Sequence, residues 1–182
     1  MKKIIKLLAV MITLVVLFKV LELDKKIMKI MYPLEYKELV EKYSEEYNID
    51  KYLTYSIIKA ESNFNENAKS NSNAIGLMQI MEATAIETAE KMNLEVTEEE
   101  LFNPEINIKI GLKYFSELLS EYNNYQVAIV AYNAGIGNVD KWVKEGIIDL
   151  DGNNLENVPF PETNNYLRKI VRDYKIYKEL YN

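Results

Sequence analysis

The sequence predicts an all-α fold, one compact helical domain preceded by a separate apolar segment at the N-terminus. Three observations carry this. From residue 34 onward apolar residues recur at three- and four-residue spacing almost throughout. No stretch alternates convincingly with period two, as a half-buried strand would. The long uncharged run is confined to the first twenty residues or so. With 182 residues and 48% hydrophobic composition, the chain can bury one core of its own but hardly two, and no internal repeat divides it.

The N-terminal segment reads as an export signal. "MKKIIK" supplies three lysines, and the uncharged run Leu7 to Phe18 follows, in the order of a charged n-region and an apolar h-region. Twelve residues are short for a span, but Ile4, Ile5 and Val20 to Leu23 extend the run if Lys6 and Lys19 snorkel. No small-x-small cleavage site follows, so the expectation is an uncleaved signal anchor over residues 1–30, linker included, with the helical domain over residues 31–182. Lysines flank the run on both sides (Lys2, Lys3 and Lys6; Lys19, Lys25, Lys26 and Lys29), so charge does not set its orientation.

The helices of the domain follow from periodicity and caps. "EYKELVEKYSEEYN" forms a first amphipathic helix, and Asp50 caps a second that carries "IIKAESNF". A polar loop runs from Asn65 to Asn73, after which "GLMQIMEATAIETAEKM" starts another helix. In "NPEINIKIGLKYFSELLSEY", Asn103 is the cap and Pro104 sits in the first turn. "YQVAIVAYNAG" ends at Gly135, and an irregular stretch covers Gly146 to Glu162. Tyr166, Ile170, Tyr174 and Tyr177 recur at spacings of 4, 4 and 3, marking a final helix with a buried aromatic face.

Composition narrows the chemistry. The chain has no Cys and no His, which removes thiol nucleophiles, imidazole acid–base catalysis and most transition-metal sites. A net charge of −6 with scattered lysines argues against a nucleic-acid partner. Carboxylates, hydroxyls, amides, Lys and Tyr are left. Among these Glu61 stands out, because Leu53, Ile57, Ala60, Glu61 and Phe64 share one helical face. A carboxyl on an apolar stripe must find donors, pair with a cation, or hold a proton as its pKa rises, and a proton held near neutral pH suits a general acid. Periodicity alone favours the plainer reading, a slightly rotated helix with Glu61 solvated at the boundary, and does not make the case for an acid.

Three ordered segments add to this. "ESNFNENAKSNSNAIGLMQIMEATA" from Glu61, "AYNAG" from Ala131 and "PETNNYLRKI" from Pro161 resemble the signature segments of the soluble-lytic-transglycosylase-like domain over roughly residues 36 to 180. The resemblance implies a lysozyme-like helical fold and cleavage of the β-1,4 bond between N-acetylmuramic acid and N-acetylglucosamine in peptidoglycan. It makes Glu61 the catalytic acid/base. Ser62, Ser70, Met78, Gln79, Tyr132 and Asn133 match positions along the glycan cleft, and Tyr166 matches a tyrosine beside the catalytic carboxyl. Each has a plainer reading as well: Met78 and Tyr132 as packing, Tyr166 as part of its helix's apolar stripe. No metal or organic cofactor is implied. The expected product is a 1,6-anhydromuramoyl end, formed without water.

Two departures from the family pattern occur. Asn73 stands where Gly is usual, and Asn tolerates left-handed backbone. Glu82 stands where Pro is common, and a first-turn glutamate suits the helix dipole. Two other functions fit the same fold: a lysozyme-type hydrolase using Glu66 as a second carboxylate, and a non-catalytic glycan-binding module. Besides glycan strands, the expected associations are with the membrane, through an N-terminal anchor that leaves the domain on the extracytoplasmic side, or as a secreted form if the signal is cleaved. Partner proteins of the cell wall or of a secretion apparatus stay open.

Overall fold

The computed structural model describes residues 2–182. Met1 and the side chains of Lys2 and Val20, which belong to the expected anchor segment, lie outside the described residues. The elements in chain order are α1 (Lys2–Val20), α2 (Leu23–Met31), α3 (Lys37–Glu46), α4 (Lys51–Glu61), β1 (Ala74–Ile75), β2 (Ile80–Met81), α5 (Glu82–Lys91), α6 (Pro104–Tyr122), α7 (Tyr125–Ala134), α8 (Ile136–Lys144) and α9 (Pro161–Tyr181).

The expected caps are present. Asp50 accepts from the Tyr52 amide at the start of α4, and Asn103 accepts from the amides of Glu105 and Ile106 with Pro104 as the first residue of α6. Gly135, at φ +86, closes α7 and opens α8. Asn73 adopts φ +62, so the glycine usual at that position is not needed for the turn.

The sequence reading needs three corrections. The fold is not purely helical: β1 and β2 pair antiparallel, Ala74 with Met81 and Ile75 with Ile80. Two-residue strands show no periodicity, and their turn is made by backbone reversal at Gly76 (φ +74) and Gln79 (φ +46). The helix expected from Gly76 therefore begins only at Glu82, which does occupy the first turn. Second, α4 stops at Glu61, because Asn63 and Phe64 both adopt positive φ; Phe64 still reaches the core, but from beyond the helix. Third, α8 is an additional helix between α7 and the irregular stretch, with Val139 and Trp142 buried.

The core lies where α4 packs along α9 and α7 lies between α6 and α9. Tyr55 and Tyr177 stack at 5.5 Å between ring centroids at the α4–α9 seam, with Ile57, Ile58, Phe115, Val130 and Ile170 closed around them. Aromatic residues dominate the inner face of α9, as its spacing predicted. At the other end of the chain, the apolar side chains from Leu7 to Phe18 are exposed. Among the described residues no single helix is long and apolar enough to cross a membrane. The bent pair α1 and α2, at 53° to each other, meets the length and composition only together.

Candidate active site

The site is built where α4 ends. Because the chain turns left-handed just beyond it, the Glu61 carboxyl leaves the helix at its C-terminus, against the negative end of the backbone dipole. Withdrawal of the carboxyl from water is the larger influence and pushes its pKa up to about 7, against which a hydrogen bond from Tyr166 and the charge of Lys169 act in the opposite direction. Tyr166, in the second turn of α9, donates its hydroxyl to Glu61 Oε1. Burial raises the Tyr166 phenol well above its ordinary range, and the Glu61 charge adds to this, so it remains a donor.

The hairpin turn from Gly76 to Gln79 forms the neighbouring wall and is fastened from three elements. Ser62 Oγ donates to the Leu77 carbonyl at 2.8 Å, directly after Glu61. Tyr132 Oη donates to the Met78 carbonyl at 2.8 Å, with its ring against Tyr114 and Phe115. From α6, Asn107 Oδ1 accepts from the Met78 amide, also at 2.8 Å. Burial raises the Tyr132 phenol, and the charge of Glu61 adds to this.

A depression of about 240 Å³ runs beside this wall, lined by Gln79, Ile80, Met81, Thr84, Tyr114, Tyr132 and the chain from Asn133 to Gly135. A second, of about 380 Å³, meets it at Asn133 and Ala134 and continues past Phe160, Pro161, Glu162 and Thr163. Together they make a groove between the hairpin and the start of α9. Asn133 is held there by Thr163 Oγ1, which donates to its Oδ1 at 2.6 Å. Met81 and Phe160 are 43% and 44% exposed, giving the groove an apolar patch at each end.

The structure thus gathers Glu61, Ser62, Gln79, Tyr132, Asn133 and Tyr166 around one region. Ser70 Oγ accepts from the amides of Ser72 and Ala74 and shapes the loop that leads into the hairpin. The Met78 side chain is fully buried and packs on Gly111, where any Cβ would come within 2.6 Å of its sulfur; only its backbone reaches the wall. The Gln79 amide is turned inward, donating to the carbonyls of Ala68 and Gly76. Glu66 accepts a hydrogen bond from Tyr36 at 2.9 Å and is not among the charges that act on Glu61. The cavity beside Tyr43 and Val96, about 350 Å³, and the groove along α9 by Arg168 and Arg172, about 400 Å³, contain none of the expected residues.

Sequence reasoning missed Lys169. It lies one turn after Tyr166 and donates to the Ala60 carbonyl at 3.1 Å, satisfying one of the open carbonyls at the end of α4 while its charge stabilises the Glu61 carboxylate. The available signal was a cation three residues beyond the motif tyrosine, on the same helix face. Lys169→Met removes a charge that favours the ionised carboxyl, so the Glu61 pKa rises. If rate depends on protonated Glu61, the limb of the pH profile that falls toward alkaline pH is expected to move to higher pH; an unmoved limb would show that Lys169 has no such effect.

The result is a helical domain in which the Glu61 carboxyl is withdrawn from water and closed by a tyrosine of α9. The Transglycosylase SLT domain matches residues 38–147, more than half of the chain, and the chain belongs to that family. It is 36% identical over 152 residues to the putative soluble lytic murein transglycosylase of Haemophilus influenzae, covering 81% of this chain and 25% of that one. It is 33% identical over 167 residues to the membrane-bound lytic murein transglycosylase C of Pectobacterium atrosepticum, covering 79% of this chain and 47% of that protein. In structure it resembles an inactive glutamate-to-glutamine mutant of lytic transglycosylase Slt from Pseudomonas aeruginosa, with a TM-score of 0.76 at 29% identity over 84% of this chain and 25% of that one. The chain thus spans between a quarter and a half of the length of these relatives.

Proposed function

We propose that this chain is a peptidoglycan lytic transglycosylase with Glu61 as its single acid/base. The observation that carries the reading is the Glu61 carboxyl itself, withdrawn from water, raised to about 7 and bonded to Tyr166, directly before the serine that fastens the hairpin wall. Such a group holds a proton near neutral pH and can both give and receive one. Glu61 protonates the glycosidic oxygen between N-acetylmuramic acid and N-acetylglucosamine, and the C1–O bond breaks. The N-acetyl group of the substrate stabilises the oxocarbenium-like centre. The C6 hydroxyl of the same muramoyl residue then attacks C1 and returns its proton to Glu61, leaving a 1,6-anhydro end without consuming water. Tyr166 keeps the carboxyl in one orientation through both transfers. Gln79, Tyr132 and Asn133 line the groove that receives the strand, and Ser62 holds the turn that forms its wall.

A two-carboxylate hydrolase is less well supported, because Tyr36 occupies Glu66 and Glu66 does not contribute to the raised pKa of Glu61. We take residues 1–30 as the membrane-attached segment, with α1 as the anchor, and residues 31–182 as the catalytic domain on the extracytoplasmic side, where peptidoglycan lies. Mass analysis of muropeptides released from purified sacculi tests the reaction. Anhydro ends are expected. Reducing ends, heavier by one water, would make the chain a hydrolase, and no release at all would leave a binding module.

A further inference from the structure

We infer that α2 is an interfacial helix that lies in the anionic headgroup layer of the membrane and holds the catalytic domain at a fixed attitude to it; the inference rests on the reading of α1 as the anchor. One face of α2 carries Ile27, Ile30 and Met31, exposed at 49%, 79% and 58%. A helix with this contrast between faces is expected to bury its apolar stripe, and here the stripe points away from the domain. Charge selects the occupant. Seven lysines against two carboxylates make the first 31 residues +5, so within the chain's net −6 the remainder carries −11. An anionic surface attracts the neck and repels the body; Lys26 borders the apolar stripe and Lys25 lies beyond it on the exposed side, while Lys29 Nζ sits over the Tyr181 ring at 5.3 Å and faces the domain. The helix is also within reach: only Leu21 and Glu22 separate it from α1, and Glu22, at φ +48, turns the chain by the 53° between the two axes.

The opposite side of α2 is docked on the catalytic domain. Met28 packs against the core. Tyr32, just past the helix, donates to Asp173 and packs edge-on against Tyr177, while Tyr181 donates to the Tyr32 carbonyl at 2.7 Å and Tyr177 to that of Pro33 at 3.0 Å. These partners all lie on α9, the helix that also presents Tyr166 to Glu61. The attitude of α2 on the bilayer therefore sets the direction in which the groove faces.

The chain has no cysteine, so single cysteines can carry nitroxide labels in the full-length protein. Labels at Ile12, Ile30 and Glu156 are compared in vesicles of phosphatidylglycerol and phosphatidylcholine, using collision with oxygen and with a water-soluble nickel chelate. Residue 12 is expected in the acyl region, residue 156 in water, and residue 30 at the boundary, with an oxygen-to-nickel ratio at least about threefold above that of residue 156. Lys25→Glu with Lys26→Glu is expected to release residue 30 to water and leave residue 12 in place. Residue 12 buried with residue 30 in water overturns the inference but leaves the anchor, whereas residue 12 in water overturns the anchor reading. Spin–spin broadening at residue 30 that grows with the protein-to-lipid ratio would make a second copy the occupant and equally overturn the inference.

Discussion

Glu61→Gln is expected to lower peptidoglycan cleavage by at least about a hundredfold, as loss of a general acid/base does, and at pH 8 to raise the melting temperature. Both effects have one cause. The folded protein holds the Glu61 proton up to about pH 7, whereas an ordinary glutamate releases it near 4.5. Between these values the unfolded chain loses its proton and the folded chain does not, so stability falls as pH rises through that window. Above it the accumulated cost approaches about 3 kcal/mol, since each pH unit between the two values contributes about 1.36 kcal/mol. Glutamine has the same shape, still accepts from Tyr166 and carries no such cost. The two proteins should therefore melt together near pH 4 and separate above pH 7, by roughly 2–4 °C for each kcal/mol in a domain of this size. Rates and melting curves across that range check both halves. A variant that keeps wild-type turnover removes Glu61 from the mechanism, and one that melts lower than wild type at pH 8 shows that the carboxyl is not destabilised by its loss of water.

That stability cost explains why the fold places so many separate contacts around one helix end. Left alone, a carboxyl at a helix C-terminus, removed from water, would be relieved by fraying of the last turn. Ser62 ties the next residue to the hairpin, Lys169 ties the preceding carbonyl to α9, and Tyr166 closes on the carboxyl itself. The contacts come from the hairpin and from two turns of α9, so release of Glu61 requires both elements to move together.

The sequence showed those features that depend on local spacing. Asp50, Asn103 and Gly135 act at helix ends because capping is a property of a few consecutive residues. The aromatic face of α9 was readable because a helix repeats its partners every three or four residues. Glu61 was readable as a polar residue on an apolar stripe, but whether it faced solvent depended on how α9 was turned toward it. The hairpin was invisible to periodicity, since two-residue strands have no period, and its sharp turns override the helical pattern that followed Gly76. Met78 illustrates the same limit at one residue. Its carbonyl accepts from Tyr132, but the missing side chain of Gly111 makes room for its side chain to point into the core. Lys169 and Asn107 act over 109 and 29 residues of separation; for Lys169 only its place one turn after Tyr166 marks it, and for Asn107 nothing in its own neighbourhood in sequence does.

Asn107→Leu is expected to cost about 4 kcal/mol of stability and to loosen the wall of the site before the domain unfolds. Asn107 is fully buried on α6, and all of its amide capacity on the hairpin side is used for backbone groups. Its Nδ2 donates to the carbonyls of Ile75 at 2.9 Å and Leu101 at 2.8 Å, and its Oδ1 accepts from the Met78 amide at 2.8 Å. Leucine is close to asparagine in length but offers no donor or acceptor, so three backbone groups lose their partner at once. A buried polar group left unsatisfied costs about 1–3 kcal/mol, and the sum is bounded by how far the turn can open to water. The space around the site prevents an easy adjustment, because the backbone at Gly76 is so close that even a Cβ there would lie 2.3 Å from Asn107 Nδ2. A branched side chain at position 107 therefore pushes the hairpin outward. Such a movement pulls the Leu77 and Met78 carbonyls away from Ser62 and Tyr132 and separates Gln79 from the groove. The expected signature is a lowered urea midpoint together with fast hydrogen exchange at the Met78 amide under conditions where α6 and α9 remain protected. Turnover should fall even at temperatures where the variant is fully folded. A stability loss below about 1 kcal/mol, with the Met78 amide as protected as in wild type, would mean that the turn holds its shape without Asn107.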